Sequence, residues 1–420
     1  MRWGPATRAL ERLRQVPRGV LPPLALLVAW GIVTILALAG GWSLLFYFSW
    51  ALALLLAGSY LLAASGLHAL HFDRQTRALR AEVGSYFDER IVLENLSWLP
   101  KLWLEIEDRG QHPERDVSCV VSLGPYGRFV RPVHTLCRQR GVFQLGPVFA
   151  ESRDPFGLFS FRRQISGSSS LVVYPVALDL PSFGPIRGDL PGGSLRGERV
   201  QFTTPNVAGV REYHPGDTFN RIHWPTTAKH GQLMVKEFEL DPFADVWLIL
   251  DLHEQAMVGA GPESTEEYAV TACASLAKYL LDEGRAVGLI SQNGILTADR
   301  ETRQLLKVLE LLAFVRPHVR PGLEELLLAE QQRFDRTDTL VIITAATNDA
   351  WVRSTRAISG RGVRSAAVVL DASSFGPAPS SQALIGALAG ARVPAYLVRQ
   401  GDRLEQALAL PATAALGARR

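Results

Sequence analysis

Charged residues are absent from one long N-terminal stretch of the chain, and cysteine is scarce throughout it. The 420 residues include three cysteines, Cys119, Cys137 and Cys273, and none forms a Cys-x-x-Cys pair. This spacing favours neither a zinc ribbon nor a disulfide framework. We expect the cysteines to be small buried hydrophobes in a reducing compartment. The formal net charge is only +3, from 44 basic and 41 acidic residues, which gives no support to a polyanion-binding protein.

The uncharged stretch runs from Arg18 to Asp73, without a single Asp, Glu, Lys or Arg between them. It can hold two helices of roughly 20 residues, the length that crosses about 30 Å of hydrocarbon. We therefore predict a cytoplasmic basic tail over residues 1–20 and a transmembrane helical hairpin over residues 21–66. Its spans are placed at 22–39 and 44–63, joined by a turn at Gly40 and Gly41.

Arginines flank both predicted spans. Because basic flanks stay in the cytoplasm, we expect a multi-pass inner-membrane protein whose residues 81–420 face the cytoplasm. A cleaved signal peptide is the alternative, since residues 37–39 read Ala-Leu-Ala. The second span would then remain, and the large C-terminal part would still be cytoplasmic. The flanking arginines are Arg2, Arg8, Arg12, Arg14, Arg18, Arg74, Arg77 and Arg80.

Residues 81–180 show the period-two pattern of half-buried strands. In the stretch 102–107 the side chains of Leu102, Leu104 and Ile106 are predicted to share one buried face. No amphipathic helix interrupts this pattern, so we predict a small antiparallel β-sandwich. The other short runs of this kind are 117–123, 128–133, 141–145 and 171–176.

Strands and helices alternate over residues 244–420, after a linker and signature segment over residues 181–243. The apolar run 246–250 is typical of a strand buried on both faces. Ser264 and Glu267 can form a capping box at a helix start, and Asn293-Gly294 predicts one hairpin. This order predicts an α/β doubly wound sheet with one antiparallel edge strand, and it resembles a von Willebrand factor A domain.

Asp251 ends the first strand of this sheet, where ligands of open α/β sheets usually bind. The resemblance implies a magnesium motif Asp-x-Ser-x-Ser, but His253 and Gln255 stand in place of both serines. An imidazole is a poor Mg²⁺ ligand, so we expect no metal and no other cofactor, with an Mg²⁺-dependent ligand-binding site at the Asp251 loop as the alternative. Asp251 is then an aspartate that accepts backbone N–H bonds at a strand end.

Residues 211–224 combine charges, aromatics and histidines around a Pro215-Gly216 turn. The spacings between His214, His223 and His230 match no compact zinc site. Acid–base chemistry by Asp217 and His223, in an envelope enzyme, is a further alternative, although no nucleophile motif or phosphate loop accompanies them.

Six basic and six acidic residues fall between residues 196 and 241, which argues against a nucleic-acid surface. We predict a rigid plate with a polar top, in which Asp217 bonds back to amides near the turn. Tyr213, Ile222 and Trp224 form its apolar underside. The signature positions are Arg211, Glu212, Tyr213, Pro215, Gly216, Asp217, Arg221, His223, Trp224, Lys236 and Glu237.

The runs 209–217, 221–224 and 231–238, with the upstream runs 140–147 and 154–159, resemble a bacterial and archaeal family called domain of unknown function 58. Pro225 and Lys229 depart from its usual pattern of Lys and Arg. The resemblance implies a non-enzymatic, membrane-anchored adaptor with chaperone-like or assembly roles. Its partners would be a MoxR-type AAA+ ATPase and a transglutaminase-like membrane protein.

Overall fold

The computed structural model describes residues 21–112, 114–115, 117–183, 203–213, 222–240 and 245–413. The chain divides into two compact units between Tyr174 and Pro175. The basic tail predicted at residues 1–20 lies outside the described residues.

Two apolar helices, α1 (Leu21–Gly40) and α2 (Ser43–Gly66), form a hairpin that turns at Gly41, where φ is +64°. Their polar groups satisfy each other: the Thr34 and Ser49 hydroxyls lie 2.8 Å apart, and the indole of Trp30 donates to the Ser49 carbonyl at 3.2 Å. By length and composition α2 can cross a membrane, and 24–40 is a shorter apolar helix. The pair is compatible with a membrane anchor.

Ten strands follow the hairpin in the described residues of the first unit. They pair in three sheets, in the orders β1-β3-β6, β2-β10-β7 and β5-β4-β8-β9. Pairing is antiparallel among these described strands, except for the short parallel pair of β2 with β10. The strands are β1 (Leu70–Thr76), β2 (Arg80–Glu82), β3 (Tyr86–Asn95), β4 (Lys101–Asp108), β5 (Cys119–Leu123), β6 (Arg128–Leu136), β7 (Gly141–Leu145), β8 (Val148–Arg153), β9 (Ser160–Ser166) and β10 (Ser169–Tyr174).

The predicted buried face of β4 is wrong at one position. Leu104 and Ile106 are buried, but Leu102 is about half exposed, and so is Trp103. The pairing of β4 with β5 shifts register between Lys101 and Leu104. Because a bulge of this kind breaks the alternation, Lys101 takes the buried position and Leu102 and Trp103 both face outward.

Four buried charges form a compact cluster in this unit. Arg115 donates to both oxygens of Glu89, at 2.5 and 3.0 Å, and to Asp108 at 2.6 Å. Arg74 donates to the same oxygen of Asp108 at 2.8 Å, and its Nε lies 3.4 Å from Glu89. Two guanidinium groups thus neutralise two carboxylates, which is the arrangement that buried charges require.

The second unit contains a two-stranded pair and a six-stranded sheet. The pair is antiparallel and joins β11 to β12, and the six-stranded sheet has the order β15-β14-β13-β16-β17-β18. All described pairs of the larger sheet are parallel except β14 with β15. The strands are β11 (Thr203–Glu212), β12 (Met234–Leu240), β13 (Val246–Leu250), β14 (Val287–Ser291), β15 (Gly294–Asp299), β16 (Thr339–Thr344), β17 (Arg364–Leu370) and β18 (Ala395–Val398).

Helices cover the six-stranded sheet and enclose an apolar core on each of its faces. The predicted start of α4 is confirmed, since the amide of Glu267 donates to the Ser264 hydroxyl at 3.3 Å. The predicted mixed α/β sheet with one antiparallel edge strand is therefore observed. The described helices of the second unit are α3 (Trp224–His230), which lies beside β12, and α4 (Thr265–Asp282), α5 (Gln304–Phe314), α6 (Leu323–Glu330), α7 (Ala350–Gly360), α8 (Ala372–Phe375), α9 (Gln382–Gly390) and α10 (Leu404–Ala407).

Candidate functional site

The signature segment is built on the β11–β12 pair, where the sequence predicted a linker. Backbone hydrogen bonds join the segments next to this pair. The amide of Tyr213 donates to the carbonyl of Leu233, and the amide of His223 donates to the carbonyl of Met234, each at 2.8 Å. Ile222 forms a bridge with Val235, and both are buried. These contacts fix the approach to α3, the short helix that begins at Trp224.

Side chains at the start of α3 are held by local hydrogen bonds. The His223 ring and the Thr226 hydroxyl lie 2.7 Å apart, and Thr227 accepts the amide of Met234 at 3.0 Å. Gly231 ends the helix at φ +71°, a conformation that glycine adopts without a Cβ penalty. The turn is therefore anchored by its own backbone and hydroxyl groups.

The structure places Trp224 differently from the predicted apolar underside. Its side chain is 65% exposed, whereas Ile222 is buried and Tyr213 is half-buried. The bridge to β12 turns Ile222 inward, and the first helical position turns Trp224 outward. Glu212, at the end of β11, is exposed.

The remaining signature positions are described only in part. In the strand pair, Arg211 lies opposite Val235, Lys236 opposite Val210 and Glu237 opposite Gly209. The structure describes only the backbone of Arg211, Lys236 and Glu237. The predictions for Pro215, Gly216, Asp217 and Arg221 lie outside the described residues.

A second candidate site lies where the order of the six-stranded sheet reverses direction. Asp251 follows β13, and Thr344 ends the neighbouring parallel strand β16. After β13 the chain continues to β14 on one side of the sheet, and after β16 it continues to β17 on the other side. Crevices at such switch points are the usual ligand sites of open α/β sheets.

Asp251 is fully buried and makes hydrogen bonds through both oxygens. It accepts the Thr344 hydroxyl at 2.6 Å, the Gln292 amide group at 2.7 Å and the backbone N–H of His253 at 3.1 Å. Burial raises the pKa of Asp251, and these hydrogen bonds oppose the rise. The carboxylate therefore links the ends of β13 and β16, as expected for an aspartate satisfied at a strand end.

The side chains around Asp251 do not fit Mg²⁺ as ligands. The Thr344 hydroxyl already donates to Asp251 and accepts the amide of Ala346 at 2.9 Å. His253 and Gln255 supply no hydroxyl oxygen at the two motif positions. In the described part of the chain no group of three or more His, Cys, Asp or Glu side chains could hold a metal ion.

A cleft of about 360 Å³ opens beside Asp251. Its lining includes His253 and Gln255, and also Glu324 and Glu325 at the start of α6. Glu325 lies close enough to its own helix start to accept the amide of Gly322, at 3.4 Å. No lysine or arginine is among the described lining residues. The cleft is therefore suited to a cationic group more than to an anion.

Comparisons with known proteins find a matching family model and similar proteins, but no activity. A family model described as "Protein of unknown function DUF58" matches residues 209–374. The chain is 26% identical over 238 residues to the uncharacterized protein YeaD of Bacillus subtilis, covering 55% of this chain and 58% of YeaD. It is 25% identical over 169 residues to the uncharacterized protein Rv1480 of Mycobacterium tuberculosis, covering 38% of this chain and 53% of Rv1480.

The matches thus span little more than half the length of these relatives. Among solved structures, the CARDB domain of a protein from Pyrococcus furiosus shares 13% identity at a TM-score of 0.20, covering 25% of this chain and 91% of that one. A likeness this slight does not show a shared fold. The DUF58 model nevertheless matches residues 209–374, which confirms the resemblance to this family seen in the sequence.

Proposed function

We propose that the chain is a non-enzymatic, membrane-anchored adaptor whose signature segment docks another protein. The partner we propose is a MoxR-type AAA+ ATPase or its client, in protein assembly or an envelope process. A transglutaminase-like membrane protein is a further expected partner. The anchor is the multi-pass hairpin of α1 and α2, with the second unit in the cytoplasm, and the α/β sheet is of the von Willebrand factor A type.

One observation carries this proposal: a large aromatic side chain is exposed on a turn held in place by hydrogen bonds. Trp224 is 65% exposed at the first position of α3. The backbone before α3 is bonded at His223 to Met234 of β12, and the backbone after α3 is bonded at Leu233 to Tyr213, which follows β11. A tryptophan whose backbone is already held in place loses less entropy when it enters a partner's pocket. Such residues are enriched among those that dominate interface energies.

The described residues around Asp251 also favour a structural role over catalysis there. Its carboxylate is buried and bonded to Thr344, Gln292 and His253. A general base must reach a substrate proton, and this carboxylate already accepts three hydrogen bonds. The alternative of an enzyme using Asp217 and His223 depends on Asp217, which lies outside the described residues.

The test is binding of the full chain, in detergent, to a purified MoxR-type ATPase from the same host. Trp224→Ala should weaken binding by roughly 30-fold in Kd, corresponding to about 2 kcal/mol for a central interface aromatic. Phe314→Ala, at the exposed end of α5, is the matched control and should leave Kd unchanged. Equal affinities for both variants and the parent chain would exclude the signature segment as the docking surface.

Ligand binding at the Asp251 cleft is a second candidate, favoured by its position at the switch point. The carboxylates of Glu324 and Glu325 suit a basic side chain of a partner better than they suit Mg²⁺, because the site lacks the hydroxyl ligands of the Asp-x-Ser-x-Ser motif. Titration calorimetry with Mg²⁺ separates the two ideas. Heat of binding that disappears in Asp251→Asn would establish a metal site and contradict the structural role of this aspartate.

A further inference from the structure

Three loops meet at one end of the four-stranded sheet in the first unit. Antiparallel pairing places Lys101, at the start of β4, opposite Leu123 at the end of β5. It also places Leu104 opposite Ser152, near the end of β8. The amide of Tyr126, in the loop 124–127, donates to the carbonyl of Ser97, in the loop 96–100, at 3.0 Å. The loops at this end are 96–100, 124–127 and 154–159.

The apolar helix α2 arrives at this same end of the sheet. The buried Lys101 donates to the carbonyl of Ser65 at 2.5 Å. A Cβ on Gly66 would lie 1.8 Å from the Ser152 hydroxyl, so the helix and β8 are in close contact there. Six residues earlier on the helix, Tyr60 packs edge-on against Phe159, with ring centroids 5.6 Å apart. The β8–β9 hairpin therefore extends along α2 towards its apolar middle.

Helix length places this hairpin at the membrane boundary. Helix α2 has 24 residues, but roughly 20 residues, rising 1.5 Å each, cross about 30 Å of hydrocarbon. Counted from Ser43, the hydrocarbon ends near Leu62. Tyr60, with the loop 154–159 beside it, then lies within one turn of that boundary.

The three loops present large apolar side chains at this level. Trp98 is 70% exposed, Tyr126 71%, Phe156 63% and Leu96 59%. The bulge in β4 turns Leu102 and Trp103 outward at the same end. We call Leu96, Trp98, Tyr126 and Phe156 the aromatic rim. In water such a group is costly, whereas tryptophan and tyrosine are enriched where hydrocarbon meets headgroups.

The rim is held in fixed conformations. The buried carboxylate of Asp154 accepts the amides of Phe159 at 2.7 Å and Phe156 at 3.0 Å, which closes the hairpin tip. Tyr126 has φ +51°, a conformation that costs a non-glycine residue roughly 1 kcal/mol. A glycine would adopt this conformation without that cost, so the fold alone does not explain a tyrosine here.

We propose that the aromatic rim seats the first unit in the interfacial layer of the lipid bilayer. The occupant is lipid because the rim continues the apolar surface of α2 at the depth where the helix leaves the hydrocarbon. The membrane contact would fix the height of the unit above the bilayer, independently of which side it faces. This inference rests on the membrane anchor of the proposed function.

Spin-label accessibility tests the depth directly in full-length protein reconstituted into vesicles of phosphatidylethanolamine and phosphatidylglycerol. Labels are placed singly by Phe156→Cys and Trp98→Cys, with the half-buried Cys119 replaced by serine. Ser168→Cys, in the exposed loop between β9 and β10 at the opposite end of β8, is the matched control. A further label, Leu54→Cys, reports on the anchor itself.

Labels at Phe156 and Trp98 should be several-fold less accessible to a water-soluble nickel reagent than the Ser168 label, and more accessible to oxygen. If either rim label were as accessible to the nickel reagent as the Ser168 label while the Leu54 label lay in lipid, the rim proposal would be overturned and the anchor would stand. A rim covered by protein would shield the labels from oxygen as well, and this result would also overturn it. A water-exposed Leu54 label would refute the anchor, and the rim proposal with it.

Discussion

Replacing Arg115 by methionine should destabilise the first unit more than any exposed charge substitution in it. Arg115 is buried with Glu89, Asp108 and Arg74, and it supplies three of the cluster's close contacts. Two positive and two negative groups balance in the native cluster. The variant leaves two buried carboxylates facing the single guanidinium of Arg74, with one negative charge uncompensated.

The expected loss follows from that uncompensated charge. Removing one partner of a buried ion pair costs roughly 3–5 kcal/mol. Burial lowers the pKa of Arg115, but the hydrogen bonds and charge of Glu89 and the charge of Asp108 raise it overall. Burial and the charge of Arg115 lower the pKa of Arg74. The guanidinium of Arg115 is therefore the more strongly held of the two.

Hydrogen exchange of the β3 and β4 amides, measured on the full chain in detergent, gives the local free energy of opening. Arg109→Met is the matched control, because Arg109 and its partner Glu107 are both exposed. An exposed pair contributes about 0–1 kcal/mol, so this variant should be nearly neutral. Equal effects of Arg115→Met and Arg109→Met would refute the energetic role of the cluster.

Three further changes have defined outcomes. Burial raises the pKa of Asp338 to about 6. Since the folded state then binds this proton more tightly than the unfolded one, stability falls as pH rises towards about 6, and Asp338→Asn should stabilise the second unit by about 1–3 kcal/mol at pH 8. Gly66→Ala should cost about 1–3 kcal/mol because its Cβ would overlap Ser152. Asp251→Asn should cost about 1–3 kcal/mol, since an amide nitrogen would meet donors such as the Thr344 hydroxyl.

Each of these outcomes has its own control. Urea unfolding at pH 5 and 8 checks Asp338→Asn, and a gain as large at pH 5 as at pH 8 would contradict the raised pKa. Gly58→Ala, with open space around its Cβ, should be neutral or slightly stabilising on α2. A Gly66→Ala variant as stable as Gly58→Ala would mean that α2 does not pack closely on β8. The Asp251→Asn loss should be the same with Mg²⁺ and with a chelator.

Strands with a clear hydrophobic pattern could be predicted from the sequence. The continuous apolar run 246–250 matches β13 at both ends, because every side chain of this strand is buried. The period-two run 141–145 matches β7, which ends where Gly146-Pro147 follows. The pair β11–β12 was not predicted as strands. Pro205 and Gly209 interrupt β11, and both residues normally indicate a loop.

Contacts between distant residues could not be predicted. The sequence does not indicate which of its 44 basic and 41 acidic residues meet, so the cluster around Glu89 was missed. The bulge beside Lys101 depends on pairing with β5 and not on local periodicity. At the candidate sites, the backbone N–H bond that Asp251 accepts was expected from its place at a strand end, but its bonds to the side chains of Thr344 and Gln292 were not. The outward position of Trp224 was not expected either, because it depends on how the chain enters α3 after the bridge between Ile222 and Val235.

Protease shaving of the host cell envelope shows on which side of the membrane the second unit lies. In a membrane-anchored cytoplasmic adaptor, the second unit, Pro175–Arg420, should resist protease in spheroplasts and be digested in inverted membrane vesicles. Digestion in intact spheroplasts would place this unit outside the cell, where no AAA+ ATPase could reach Trp224. Recovery of the undigested chain in the soluble fraction would contradict the anchor itself.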